Sequence, residues 1–84
     1  VYAVHYSTAA LKALRKMPSQ NAGRIRAKIK ELADNPFEMA GVKKLTNHPG
    51  YRLRVGDWRV LYLVDQGRLI ILLTEIAQRK EVYR

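Results

Sequence analysis

The chain has 84 residues, enough for one domain (1–84) with a modest core. Its 16 Lys and Arg outnumber 7 Asp and Glu for a net charge of +9, which points to polyanionic partners; with no cysteine, disulfides and thiolate metal sites are excluded. The longest apolar run, Leu69 to Leu73, is far short of the roughly 18–20 residues that span a bilayer, and the Val1-Tyr2-Ala3-Val4-His5-Tyr6 start lacks the regions of a signal peptide, so no membrane association and a cytoplasmic location are expected.

Tyr2 to Tyr6, partly β-branched and aromatic, predicts a short strand ending where Ser7 can cap a helix. Ala10, Leu11, Leu14 and Met17 recur at helical spacing, with Lys12, Arg15 and Lys16 facing away, which predicts a first helix over about Thr8 to Met17. Pro18 suits the start of a second helix, whose apolar stripe runs through Ala22, Ile25, Ile29, Leu32 and Ala33 and stops at Asn35-Pro36. Two such short helices cannot bury each other's stripes fully, so both are expected to lie on a sheet. Phe37 to Gly50, which follows Pro36 and holds Pro49, two glycines and Asn47-His48, reads as an irregular loop. Tyr51 to Val55 then alternates strictly, Gly56-Asp57 offers a two-residue turn, and Trp58 to Val64 resumes the strand pattern. After a turn at about Gln66-Gly67, the unbroken run Leu69 to Leu73 predicts a strand in the sheet centre or buried on both faces. The expected fold is α+β: an N-terminal strand and two helices packed on a mainly antiparallel four-stranded sheet, with Val82-Tyr83 a candidate extension.

The chemistry is concentrated in the first hairpin. If Gly56-Asp57 is the turn, Val55 pairs with Trp58 and Arg54 faces Arg59, on the same side as Arg52. Facing like charges cost stability, and an anion between them removes that cost, since guanidinium forks bind phosphate bidentately. The alternative is that these arginines are solvated or pair with Asp57, Asp65 or Glu75. Beyond the third meander strand, Gln78-Arg79-Lys80-Glu81-Val82-Tyr83-Arg84 brings further cations to the same neighbourhood. Tyr83 could serve as an acid–base group favoured by positive neighbours, as a platform for a base, or as a core tyrosine with an exposed hydroxyl. Lys43, Lys44, His48, Lys80 and Arg84 are candidate RNA contacts around this centre.

The acidic residues are scattered singly and neither histidine has a partner at metal-ligand spacing, so no metal site and no cofactor are expected. RNA suits such a site because its 2′-hydroxyl is an internal nucleophile beside the scissile phosphate. The protein then supplies a base, an acid for the leaving oxygen, and cations for the developing phosphorane.

The order strand, two basic helices, loop, then Tyr51-Arg52-Leu53-Arg54-Val55-Gly56-Asp57-Trp58-Arg59-Val60-Leu61-Tyr62 and the closing Arg79-Lys80-Glu81-Val82-Tyr83-Arg84 resembles the RelE toxins of the RelE/ParE superfamily over essentially the whole chain. The resemblance implies a toxin of a type II toxin–antitoxin pair, a metal-independent endoribonuclease cutting messenger RNA in the ribosomal A site. It implies catalytic roles for Arg52, Arg54, Arg59, Arg79 and Tyr83: Arg59 and Arg52 on the phosphate, Arg79 at the leaving oxygen, Tyr83 or a neighbour at the 2′-hydroxyl. Two positions depart from the family pattern. Arginine replaces the lysine common on the first hairpin strand and is a poor base, and Ala77-Gln78 replaces a common glycine-histidine pair. The implied partners are a cognate acidic antitoxin with a segment that folds on the toxin, messenger and ribosomal RNA, and operator DNA only through the antitoxin. Two other readings are a ParE-like inhibitor of DNA gyrase and a non-catalytic RNA- or ribosome-binding module.

Overall fold

In the computed structural model, which describes residues 1–78, one serine joins the first strand, the first helix and the last strand. β1 (Ala3–Tyr6) leads directly into α1 (Thr8–Lys16), and α2 (Ser19–Leu32) follows after Pro18. Four more strands complete the described chain: β2 (Val42–Lys44), β3 (Tyr51–Val55), β4 (Trp58–Asp65) and β5 (Ile70–Gln78). The Ser7 hydroxyl accepts from the Ala10 N–H at 3.1 Å, filling a donor that the helix start leaves open, and donates to the Thr74 carbonyl of β5 at 2.9 Å. Arg15 and Lys16 close α1 and Lys30 closes α2, where cations meet the negative end of the helix dipole.

The sheet has five strands in the order β1-β5-β4-β3-β2, with β1 parallel to β5 and every other pair antiparallel. The expected count of four is therefore corrected to five. The fifth is β2, inside the segment read as an irregular loop, where three residues between turns are too few to show a period. It pairs with β3 at the sheet edge, and its Lys43 and Lys44 leave that edge charged, which discourages further strand addition. Val82-Tyr83, the candidate extension, lies outside the described residues.

The β3–β4 hairpin has the expected register, with Val55 opposite Trp58 and Arg54 opposite Arg59. Gly56 sits at φ +59 while Asp57 does not share a positive φ, the combination of a type II′ turn, which matches the twist of the strands it joins. Leu69 does not open the third meander strand. It occupies the preceding turn at φ 57, half exposed, and β5 starts at Ile70. β5 is an interior strand, between β1 and β4, while β4 takes the sheet centre; nor is β5 buried on both faces, since Ile71 and Leu73 enter the core while Leu72 stays 38% exposed on the other side.

A bulge then reverses the alternation of β5. Leu61 pairs with Glu75 but Tyr62 pairs with Leu73, which leaves Thr74 as the extra residue. Its hydroxyl donates to the Leu61 carbonyl at 3.1 Å. Because of this one residue, Ile71, Leu73 and Ile76 all reach the core, and Glu75 and Ala77 turn to the opposite face.

Both helices cover that core face. Ala10 and Leu14 of α1 and Ile25, Ile29 and Leu32 of α2 pack on Leu53, Val60, Tyr62, Ile71 and Leu73, all at most 3% exposed. Tyr62 is the largest of the buried side chains, and its hydroxyl donates to the Pro36 carbonyl at 2.6 Å, fixing the chain that leaves α2. Gly50 enters β3 so close to β4 that an added Cβ would stand 2.9 Å from the Tyr62 carbonyl oxygen.

Candidate RNA-cleavage site on the open sheet face

With both helices on one side, the other side of the sheet is open among the described residues, and strand alternation sorts the hairpin between the two. Leu53, Val55, Trp58 and Val60 point to the helices; Arg52, Arg54 and Arg59 point away. β2 adds Lys43, directly opposite Arg52, so four cationic residues share one end of the open face. β3 and β4 are held by ladders on both sides, so the spacing of Arg52, Arg54 and Arg59 along the backbone is set before any ligand arrives.

The three arginines differ in environment. Arg54 is exposed and its Nε donates to the Gly56 carbonyl at 3.4 Å, a contact that leans the guanidinium toward the turn. Arg52 is half-buried, and its Nε is fully covered with no hydrogen-bond partner. A buried donor without an acceptor costs about 1–3 kcal/mol. Arg59, also half-buried, has Ala77 opposite it on β5, a residue too small to cover it.

Among the described residues, the carboxylates nearest in sequence to Arg52 and Arg54 lie away from them. Asp65 is 3.8 Å from Arg68 at the far end of the hairpin, and Asp57 lies at the turn. Glu75 is on the open face but opposite Leu61, and among the described residues it forms no ion pair with Arg52 or Arg54. No group of three His, Asp or Glu among the described residues is arranged to hold a metal ion.

The remaining sequence candidates separate. Lys44 alternates to the helix side, where its ammonium sits 4.9 Å from the centre of the Tyr51 ring, away from the arginines. His48 is in the turn before β3, and its Nδ1 accepts the Gly50 N–H at 2.9 Å. Arg79, Lys80, Tyr83 and Arg84 lie outside the described residues. The sequence marked Ala77 only as a departure from the family pattern; its place opposite Arg59 follows from the bulge at Thr74, and no periodic signal marks a one-residue bulge.

The other end of the same face is apolar. His5, Leu63, Ile70 and Leu72, with Asp65 and Arg68 at the rim, line a shallow depression of about 370 Å³. The open face is thus cationic at one end and apolar at the other.

Comparison with known proteins agrees with this architecture. The family described as the ParE toxin of type II toxin-antitoxin system, parDE, matches residues 4–83. A protein of Methanocaldococcus jannaschii carrying the name toxin RelE1 is 32% identical over 77 residues, covering 88% of this chain and 86% of the relative. RelE from the archaeal RelE–RelB complex of Pyrococcus horikoshii superposes with a TM-score of 0.82 at 28% identity, covering 93% of this chain and 94% of that one. The isolated RelE toxin of E. coli gives 0.81 at 25% identity, covering 99% and 92%. The chain therefore belongs to the RelE toxin family of the RelE/ParE superfamily of type II toxin–antitoxin systems.

Proposed function

We propose that this chain is the toxin of a type II toxin–antitoxin pair and acts as a metal-independent endoribonuclease on messenger RNA in the ribosomal A site. The observation that carries the reading is the cross-strand pair Arg54–Arg59 with Arg52 beside it on the sheet face opposite the helices. Like charges facing across a ladder are unfavourable, and the covered Nε of Arg52 lacks an acceptor. A phosphate placed among them removes both costs at once.

The reaction this supports begins with loss of the 2′-hydroxyl proton. The 2′-oxygen bonds to the adjacent phosphorus, the bond from phosphorus to the 5′-oxygen breaks, and that oxygen takes up a proton. The products end in a 2′,3′-cyclic phosphate and a 5′-hydroxyl. Arg59 and Arg52 hold the phosphate oxygens and Arg54 adds charge as the phosphorane becomes more negative. Arg79 serves the leaving oxygen and Tyr83 the 2′-hydroxyl. Arginine does not give up its proton, so the hairpin itself supplies electrostatic stabilisation and no base. Lys43, Lys44, His48, Lys80 and Arg84 extend the contact with messenger and ribosomal RNA.

The partner that restrains the activity is an acidic antitoxin. An acidic segment neutralises Arg52, Arg54 and Arg59, while apolar side chains enter the depression at Leu63, Ile70 and Leu72. Relatives of this fold have been solved as RelB–RelE complexes, which supports this assignment. Operator DNA is bound through the antitoxin.

The description of the matching family favours one further reading, ParE-type inhibition of DNA gyrase. It has no need of an arginine cluster around a phosphate. Cleavage of a defined messenger RNA on programmed ribosomes in EDTA, with wild type, Arg59→Ala and Tyr83→Phe, decides between the two. Cuts within the A-site codon that both substitutions lower by at least 100-fold are expected. Uncut RNA combined with inhibited gyrase supercoiling overturns the nuclease reading.

A further inference from the structure

A second feature lies at the same hairpin but on its helix side. Asn21, Arg24 and Ile25 of α2 face Val55, Asp57, Trp58 and Gln78 across a cleft of about 160 Å³. Asn21, Arg24 and Ile25 share one side of the helix by their spacing, and Gly56 at the turn adds no side chain to narrow the opening. The floor is apolar, since Ile25 and Val55 are buried, while Trp58 is half-buried at the wall.

The rim is polar and unused. Among the described residues, the side chains of Asn21, Arg24, Asp57 and Gln78 form no hydrogen bond or ion pair, although Arg24 and Asp57 carry opposite charges and line the same cleft. The cleft is small and mainly polar, with room for one planar group whose edge meets convergent polar side chains. Two amides and a carboxylate offer donors and acceptors in one ring, which suits the edge of a heterocycle; Asp57 disfavours a bare anion. The indole of Trp58 offers a stacking surface for its face.

The turn connects this cleft to the arginine cluster. On the open face Arg54 Nε reaches the Gly56 carbonyl at 3.4 Å, and on the helix side the Arg24 guanidinium comes within 3.5 Å of where a Cβ of Gly56 would stand. A strand crossing the hairpin tip meets a guanidinium on either side. Trp58 and Arg59 are consecutive on β4 and point to opposite faces, so cleft and phosphate site lie on the two sides of the sheet next to the same hairpin tip.

We propose that this cleft binds a nucleobase of the RNA strand whose phosphate lies among Arg52, Arg54 and Arg59, with Trp58 stacking on the base and Asn21, Asp57 and Gln78 contacting its edge. The inference rests on the RNA-cleaving reading above and adds the place where the strand is read. Trp58 is the only tryptophan of the chain and reports on its own site.

The test titrates the protein with a fluorescently end-labelled 2′-O-methyl oligoribonucleotide, which lacks the nucleophile and stays intact. Binding is followed by label anisotropy and by Trp58 emission together. The expected result is saturable quenching of Trp58 with the same midpoint as the anisotropy, loss of quenching with an oligomer made abasic throughout, and at least fivefold weaker binding by Asn21→Ala/Gln78→Ala. The abasic arm needs no substitution, so it stands even if the double variant fails to fold. Anisotropy that rises while Trp58 emission stays constant, or quenching by the abasic oligomer, overturns the cleft and leaves the nuclease reading intact. No binding of either oligomer also overturns it; the ribosomal cleavage assay then shows whether the nuclease reading falls as well.

Discussion

Tyr62 and Arg52 show how single side chains divide the work between stability and function. Burial, and then the neighbouring Tyr51, push the Tyr62 phenol well above its ordinary value of 10.0. The folded state therefore keeps a proton that the unfolded chain releases above about pH 10, so this group's contribution to stability falls as pH rises past that point. Tyr62→Phe removes the hydrogen bond to Pro36 and should cost about 1–2 kcal/mol at neutral pH. That deficit should narrow above pH 10, read as the difference between the urea midpoints of the two proteins. Arg52 predicts the opposite kind of result. Its covered Nε has no acceptor, so Arg52→Leu should leave the melting temperature unchanged or raise it while weakening RNA binding at least tenfold. A large fall in melting temperature would show that Arg52 holds the fold and not a ligand.

Ser7 and Thr74 tie β1, α1, β4 and β5 together at one point. Ser7 caps α1 and donates to the carbonyl of Thr74, while the Thr74 hydroxyl fastens the bulge to β4. Ser7→Ala removes a cap and a tertiary bond together and should cost about 1–2 kcal/mol by chemical denaturation. The loss should exceed that of Thr8→Ala, which has no such contact among the described residues. Because the bulge sets which β5 residues face the arginines, Ser7→Ala should also speed amide hydrogen exchange around Ala77, a readout that a purely local helix effect would not move.

At the scale of the whole molecule, the sheet separates two basic surfaces. Lys12, Arg15, Lys16, Arg24, Arg26, Lys28 and Lys30 lie on the helices, where Glu31 is the one acidic residue; Lys43, Arg52, Arg54 and Arg59 lie on the open face. Charge at this density draws RNA or an acidic partner from a distance, but only the groups seated on phosphates release counterions. If Arg52, Arg54 and Arg59 are those groups, the logarithm of RNA affinity should fall against the logarithm of salt concentration with a slope of about −2. Arg54→Ala should reduce that slope by about 0.7, whereas Lys28→Ala on the helices should not. An unchanged slope for Arg54→Ala would move the phosphate path off the open face.

The sequence by itself determined both helices, the first strand and the hairpin chemistry. Ser7 as a cap, the stripe from Ile25 to Leu32, and the register that opposes Arg54 to Arg59 all follow from spacing and turn chemistry, which act between near neighbours in the chain. It also contained enough of the family pattern to identify a RelE-like fold. Only the tertiary structure decided the rest. β2 is a strand because β3 offers it an edge, and nothing within its three residues requires one. The bulge at Thr74 exists because Ile71, Leu73 and Ile76 must all reach one core, and it then carries Ala77 to Arg59. The cleft of Asn21, Trp58 and Gln78 joins residues from a helix and two strands. Contacts of that kind depend on packing between elements distant in sequence, which no local period records.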